Sequence, residues 1–283
     1  FLFEYRGFGT NPLQIASNLT AVNISTNALI VNGVLDMGAI TITAVGPSLT
    51  LYSSGITVNG RLRTSHASGY FNGTTTACLQ PQPFATDALY RMDFNLNSTS
   101  TVEYYASVNQ VVTGKFPSAG TLADVASGTA AQYKYGNLDI NNLGTIGTNY
   151  AFPATPAAGT GNVFVRTNLV LTRGEFWLAG SGTGQTITVE NSATSAINRD
   201  GATTNGYIKS EEVNSGNNRA KVQWNIGGTT GAHIYPFGLY SGSIQYLPVT
   251  FNTSGASGNI TASTRSTLGN TNNTTGVASQ WCA

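Results

Sequence analysis

The sequence predicts an all-β protein: a β-solenoid, or β-helix-like stack of short strands, followed by a β-rich C-terminal module. Three observations lead to this fold class. Short alternating runs of apolar and hydroxyl residues, bounded by Gly, Asn, Pro or Ser, follow one another along the chain. Helical periodicity is nearly absent. The gaps between the runs are too short for helical crossovers. A set of β-sandwich modules is the alternative.

The first third of the chain carries the clearest strand signals. In residues 39–51, AITITAVGPSLTL, two alternating runs flank Gly46-Pro47. Because alternate residues of a strand face opposite sides, the apolar positions are predicted to face the core and the threonines to face water. The inward set is Ile40, Ile42, Leu49 and Leu51, and the outward set is Thr41, Thr43 and Thr50. The predicted strands of this region are residues 19–24, 29–35, 40–43, 49–52 and 56–62.

An internal repeat supports stacking. ALIVNGVLD at 28–36 and GITVNGRLR at 55–63 share Val-Asn-Gly at 31–33 and 58–60, 27 residues apart. A weaker echo comes later, where NLVLTRGEFWL at 168–178 repeats a strand–Gly–strand pattern. It is followed by QTITVE at 185–190, which resembles AITITA at 39–44. Repeats at such a period are typical of solenoid turns.

The composition and the strand pattern along the chain predict four regions. Residues 1–14 form an N-terminal strand that is a candidate donor strand for a neighbouring subunit. Residues 15–205 form the solenoid-like region, and residues 206–265 form a C-terminal β module with longer strands and Gly-rich turns. Residues 266–283 are an Asn/Thr-rich tail.

Composition limits the function classes. Charged residues make up 9% of the chain and the net charge is +1, so nothing favours nucleic acid or an anionic membrane surface as partner. No apolar run approaches the length of a membrane span. The composition is typical of an extracellular β protein whose exposed faces are neutral hydroxyls and amides. Since the first residues lack a basic start and a long apolar core, we expect the chain to be a mature or trimmed form.

The two cysteines, Cys78 and Cys282, are candidates for a disulfide in an oxidising compartment. Two unpaired thiols are an equally good interpretation of the sequence. No Cys/His cluster or cofactor motif is present, so we expect neither a metal nor a cofactor.

Candidate catalytic groups are few. His66 and His233 stand in no recognised nucleophile motif, and a surface or strand-packed histidine is the better interpretation. The twelve acidic residues look scattered, whereas a polysaccharide-cleaving β-helix needs carboxylates clustered on one sheet. The best local groupings are Asp87 and Asp93 with Arg91, and Glu211-Glu212 with Lys209. We therefore expect no enzymatic activity.

Aromatic residues are the better functional signal. Large rings stand at adjacent strand positions, as in Tyr104-Tyr105 and Phe176-Trp177, so one ring of each pair should point outward. Outward rings on a solenoid suit glycan stacking or burial against another protein. The predicted exposed binding residues are Tyr104, Tyr105, Trp177, Trp224, Tyr235 and Tyr240.

Several passages together resemble a known family. They are STSTVEYYASVNQVV at 98–112, YGNLDIN at 135–141, VFVRTNLVLTRGEFWL at 163–178, HIYPFG at 233–238 and YLPVT at 246–250. In their order they resemble the secreted, repetitive β-rich surface proteins of the Bacteroidota, many of which are exported by the type IX system. The resemblance spans about residues 15–265 and implies an extracellular β protein with adhesive or scaffold roles. One departure is the end of the chain at Trp281-Cys282-Ala283, where no sorting domain is recognised. We expect that the sorting domain is removed on export, that the chain is a fragment, or that the protein uses another export route.

The resulting functional prediction is a non-enzymatic extracellular structural protein. It would form a cell-surface filament, a sheath or an adhesin stalk, assembling as a homopolymer through strand edges and exposed aromatics. A solenoid has open ends whose backbone groups must be capped or paired, and the N-terminal segment is a plausible donor strand. The assembly candidates are Phe1, Leu2, Phe3, Tyr5 and Phe8. A glycan-binding adhesin module is the alternative, and a polysaccharide-degrading β-helix enzyme is the third hypothesis.

Overall fold

The structure is a computed structural model. It describes residues 3–5, 13–14, 19–22, 29–39, 42–44, 54–70, 79–81, 92–114, 134–154, 162–179, 184–199, 206–210, 220–255 and 258–264. Over these residues the protein is all-β, with 25 strands and no helix. The all-β prediction is therefore confirmed for the part of the chain that the structure describes.

Three sheets take their strands in turn from the first part of the chain. Sheet I contains β1 (Phe3–Tyr5), β4 (Leu29–Val31), β7 (Ser54–Val58) and β10 (Met92–Leu96). Sheet III contains β3 (Leu19–Val22), β6 (Ile42–Ala44) and β9 (Leu79–Pro81). Sheet II has ten strands: β2 (Leu13–Gln14), β5 (Val34–Asp36), β8 (Arg61–Thr64), β11 (Thr101–Tyr104), β13 (Tyr135–Asn141), β15 (Val163–Arg173), β17 (Thr186–Val189), β18 (Ile197–Arg199), β20 (Lys221–Gly227) and β25 (Gly258–Ala262).

A fourth sheet accompanies sheet II in the second part of the chain. Sheet IV contains β12 (Gln110–Val112), β14 (Tyr150–Pro153), β16 (Glu175–Trp177) and β19 (Tyr207–Lys209). Two hairpin pairs follow, β21 (Gly231–Tyr235) with β24 (Val249–Thr253), and β22 (Gly238–Tyr240) with β23 (Ile244–Tyr246).

Strand order within each sheet follows chain order. In sheets I, III and IV each strand pairs in parallel with the strand that preceded it in the same sheet. Sheet II follows the same rule from β2 to β20, with β17 and β18 both on β15, and ends in the antiparallel strand β25. Antiparallel pairs among the described strands all lie within residues 221–262.

The core is built from apolar residues that occupy equivalent positions on successive strands of sheet II. Leu35 is paired with Leu62, Leu62 with Val102, Val102 with Leu138, and Leu138 with Leu169. Each of these side chains is at most 1% exposed. Full burial of one such side chain stabilises the fold by about 1.5–3 kcal/mol. The row of apolar side chains therefore sets which face of each strand meets the core.

The Val-Asn-Gly repeat forms the corner between sheets I and II. Val31 is paired with Val58, so the 27-residue offset of the repeat is the register of the two strands. The Asn59 side-chain amide donates to Asn32 Oδ1 at 2.8 Å. A Cβ added at Gly60 would lie far inside van der Waals contact with the Gly33 carbonyl oxygen. The corner therefore needs glycine for close backbone approach and asparagine for its hydrogen bond.

Several predicted core and strand positions lie outside the described side chains. Of residues 39–51, the structure describes only Ala39 and the backbone of β6. The inward and outward assignments made for Ile40, Leu49 and their neighbours therefore stay predictions.

Candidate functional site

A row of outward-facing side chains crosses sheet IV. Val111 is paired with Phe152, and Trp177 with Lys209. The pairing of Ala151 with Phe176 places Phe152 beside Trp177. These four residues are half-buried, whereas their inward neighbours Ala151, Phe176 and Ile208 are fully buried. We define the aromatic strip as these four residues and the adjacent Tyr150.

The rings of the aromatic strip touch one another. The Tyr150 ring lies 4.8 Å from the Trp177 ring and 5.6 Å from the Phe152 ring, both in edge-to-face geometry. The Lys209 ammonium lies 4.1 Å from the Trp177 ring centroid, within range of a cation–π interaction. Three rings and one cation thus form a continuous patch across three strands.

A polar centre lies beside these rings. Glu175 is paired with Tyr150 on one side and with Tyr207 on the other. Its side chain is only 4% exposed, and Lys209 Nζ lies 3.5 Å from Oε1. The Tyr207 hydroxyl donates to Oε2 at 2.7 Å. Burial, the hydrogen bond and the carboxylate charge raise the pKa of Tyr207 well above its ordinary value, so the phenol stays a donor to Glu175 at neutral pH.

The hairpin of β22 and β23 borders the polar centre. A Cβ added at Gly238 would lie 3.0 Å from the Tyr207 ring. The Tyr240 ring packs directly on Gly147, which has a positive φ of 84° and where a Cβ would clash with the ring. Tyr240 is still 41% exposed, as the sequence predicted.

A second constellation lies on the outward face of sheet II. Asp36, Arg63, Glu103 and Asp139 occupy equivalent positions on β5, β8, β11 and β13. Arg61 contributes from the adjacent outward position on β8. We call these five residues the ion cluster. The three carboxylate side chains are between 3% and 7% exposed although they face outward, because the arginine side chains cover them.

Each carboxylate of the ion cluster is held at both oxygens. Glu103 Oε2 accepts from Arg63 Nε at 2.6 Å and from Arg61 Nε at 2.9 Å, and Oε1 accepts from the Asn141 amide at 2.8 Å. Asp139 Oδ2 accepts from Arg61, and Oδ1 accepts from the Thr172 hydroxyl at 2.7 Å.

The remaining carboxylate, Asp36, accepts from the Tyr105 hydroxyl and from the Gly38 amide with Oδ1. Arg63 Nη1 lies 3.4 Å from Oδ2. This network ties together four parallel strands.

The surroundings of the ion cluster raise the pKa values of Asp139 and Tyr105. Burial raises the pKa of Asp139, and the nearby Glu103 charge adds to the rise, while Thr172 and Arg61 oppose it. Burial and the hydrogen bond to Asp36 raise the pKa of Tyr105 to about 12. Both groups thus hold their protons more firmly in the folded protein.

The ion cluster corrects an expectation. The acidic residues looked scattered in the sequence, yet the fold brings three of them together with two arginines. A signal was present in the repeat, since ALIVNGVLD and GITVNGRLR align Asp36 with Arg63. Of the groupings expected instead, Asp87, Arg91 and Glu211-Glu212 fall outside the described residues, and only the backbone of Asp93 is described, in β10. Lys209 belongs to the aromatic strip.

Three of the predicted exposed aromatics are buried, so that part of the prediction is wrong. Tyr104, Trp224 and Tyr235 are each fully buried. In β20, Trp224 alternates with polar neighbours on the same face as Val222 and Ile226, and that face meets the core. Tyr235 shares the buried face of β21 with His233, and its hydroxyl donates to the Ile260 carbonyl at 2.9 Å.

Tyr104 belongs to a buried network of hydroxyl groups. Its oxygen lies 2.8 Å from the Tyr135 hydroxyl and accepts from the Thr113 amide at 3.0 Å. The predicted alternation itself is confirmed, since Tyr105 and Trp177 are half-buried and face outward beside their buried neighbours. The Tyr105 ring lies under the Arg63 guanidinium at 4.6 Å.

The histidines have structural surroundings. His233 is fully buried, with its Nε2 at 3.1 Å from the Ser192 carbonyl and its ring 4.9 Å from Trp224. Of the surface and strand-packed alternatives that the sequence left open, His233 is therefore strand-packed. His66 is half-buried, its Nδ1 accepts from the Ser68 amide at 3.1 Å, and burial lowers its pKa.

Other predicted residues lie outside the described part. Cys78, Cys282, Phe1, Leu2 and Phe8 are not described, so the disulfide and these assembly contacts stay predictions. Phe3 and Tyr5 lie in β1, whose backbone pairs in parallel with β4 of the same chain.

Comparisons with protein-family models, with curated proteins and with solved structures give no match. Within the described residues, no group of three or more His, Cys, Asp or Glu side chains is arranged to hold a metal ion. The same residues contain no helix of the length and apolar character that crossing a membrane requires.

Proposed function

We propose that the protein is a parallel β-solenoid that serves as a structural subunit on the outside of the cell, in a filament, a sheath or an adhesin stalk. The observation that carries the proposal is the strand order: from β5 to β20, every strand of sheet II pairs in parallel with an earlier one, in chain order. Successive turns of a solenoid have this order, and repeated turns give the rigid, elongated scaffolds used at surfaces.

The chemistry of the surface supports a structural role. The three carboxylates of the ion cluster are engaged in pairs and hydrogen bonds that link neighbouring strands. A polysaccharide-degrading enzyme needs an acid and a base on such a face, and the ion cluster offers its carboxylates already bound to arginine. The extracellular location and the kinship with Bacteroidota surface proteins are part of the same proposal and rest on composition and on the motifs described above.

Self-association is proposed at the N-terminal segment. Strand β1 lies at the border of sheet I and pairs on one edge with β4. In the proposal, residues 1–10 join a strand edge of a second copy by backbone hydrogen bonds.

The test is deletion of residues 1–10, followed by negative-stain electron microscopy and circular dichroism. We expect the variant to keep its β signal and to lose assembly. Deletion of residues 268–279 in the tail is the control and should leave assembly intact. Filaments formed by the variant that lacks residues 1–10 would contradict the donor-strand proposal.

A glycan-binding adhesin module is the second candidate. The observation that favours it is the aromatic strip, which presents contiguous rings on the outward face of sheet IV. The two functions are compatible, because a surface scaffold can carry a binding face.

A further inference from the structure

We propose that the aromatic strip and its polar centre bind an uncharged glycan chain that lies flat across sheet IV. The inference deepens the glycan-binding candidate by naming the site and the ligand class. It rests on the proposed surface location and does not depend on self-assembly.

The spacing of the rings supports an extended ligand that crosses neighbouring strands. Neighbouring strands of a sheet lie about 4.8 Å apart, and Phe152 and Trp177 stand on adjacent strands with Tyr150 against both. A ligand on this face therefore touches several rings at once. Sugar rings have an apolar face of C–H groups that packs on aromatic side chains, and aromatic contacts of this kind dominate binding energetics.

The polar centre supports a ligand with hydroxyl groups. Glu175 and Lys209 form an ion pair beside the rings, and Tyr207 donates to the same carboxylate. Glu175 is already removed from water at 4% exposed, whereas the Lys209 side chain is 24% exposed. A dry protein interface would strip water from the Lys209 ammonium group without replacing its hydrogen bonds, which is costly. Sugar hydroxyls can accept from this ammonium group, so they replace the lost water.

Charge balance selects an uncharged glycan. The two charged side chains of the site, Glu175 and Lys209, compensate each other. Few convergent polar groups within a mainly aromatic surface are typical of a built ligand site. With no net charge to attract or repel it, the ligand that fits is a neutral oligosaccharide, not an acidic one.

The test is isothermal titration calorimetry with a panel of hexasaccharides from cellulose, laminarin, mannan and xylan, with an alginate hexamer as the acidic comparison. We expect saturable binding of at least one neutral hexasaccharide and weaker or no binding of alginate. Phe152→Ala and Trp177→Ala should each weaken binding by about tenfold, because each removes one stacking ring.

The matched control is Tyr246→Ala. Tyr246 is a ring next to a cation, 38% exposed and 3.9 Å from the Arg199 guanidinium, and it lies outside the strip. The Tyr246→Ala variant should bind the hexasaccharide as the wild type does. Far-UV circular dichroism and urea unfolding of all variants verify that they are folded.

Three results would overturn the proposal: no binding of any neutral hexasaccharide, equal binding by the strip variants and the wild type, or preference for alginate. A change of sedimentation in the strip variants without a change of sugar binding would assign the strip to a protein interface instead. The variant that lacks residues 1–10 separates the two proposals, since it should lose assembly and still bind sugar.

Discussion

Gly60 lies in a crowded corner between sheets I and II. Its amide donates to the Val31 carbonyl at 2.9 Å, and the space that a side chain would fill is taken by the backbone of Asn32 and Gly33. The backbone of Asn32 and Gly33 cannot move aside in the way that the end of a flexible side chain can. Only glycine therefore fits at position 60.

We predict that Gly60→Ala lowers the free energy of unfolding by about 2 kcal/mol, within the range of severe single substitutions. Urea unfolding followed by circular dichroism measures the effect. Gly228→Ala is the control, because a Cβ there meets nothing within 4 Å, and its stability should stay within about 0.5 kcal/mol of the wild type. Equal stabilities of the two variants would show that the corner is loosely packed.

Burial of single residues was predictable wherever a strand alternates cleanly. The segment KVQWNI places Trp224 on the same face as two aliphatic residues, so its burial could have been inferred from the sequence. Glu103 could not be placed in this way. It faces outward, and it is buried only because Arg61 and Arg63, about 40 residues earlier in the chain, cover it.

Strands β5, β8, β11 and β13 are joined by charge as well as by backbone hydrogen bonds. Apolar rows alone permit a slip by two residues, since every second position of a strand is inward. The ion cluster adds a penalty to such a slip, because Arg61 and Arg63 would lose Glu103. Registry is the best-attested role of buried ionic groups.

We predict that Glu103→Gln destabilises the protein by about 1–3 kcal/mol. The substitution leaves two arginines without their shared partner, while the partial exposure of both arginines moderates the cost. Glu190→Gln is the matched control, since Glu190 pairs with Lys134 in a more exposed setting, with side chains 32% and 42% exposed. Its cost should stay below about 1 kcal/mol. Thermal and urea unfolding measure the stability that each variant loses. Equal losses of stability in the two variants would contradict the prediction.

At the level of elements, the sequence predicted which strands pair only where the repeat is regular. The 27-residue offset holds for β4 with β7 and for β5 with β8. The next two pairs of sheet II join residues 40 and 36 positions apart, so a fixed period no longer reveals the partner. Sheet IV and the aromatic strip arise in this irregular part, which explains why Phe152 was not among the predicted binding residues.

The whole molecule offers a test between a solenoid and a sandwich. Since Val34 is paired with Arg61, removal of residues 34–60 brings β8 into the place of β5 with the same register. In a solenoid this deletes one turn and lets the remaining turns stack again. In a sandwich it removes strands that cannot be replaced by their neighbours.

We predict that deletion of residues 34–60 leaves a folded β protein with cooperative thermal unfolding and a lower midpoint. Deletion of residues 34–53 is the control, because it breaks the 27-residue offset and should disrupt folding. Far-UV circular dichroism with thermal unfolding measures both. Loss of structure in both variants to the same extent would argue for the sandwich.

Chain order in sheet II has a consequence for how the protein is made. Its pairs join residues no more than 40 positions apart, and from β5 onward each strand pairs with a partner that was synthesised before it. Such local pairing lowers the entropy cost of closing each loop. A chain of this kind can acquire structure one strand at a time as it emerges N-terminus first from a narrow pore, each finished strand serving as the template for the next.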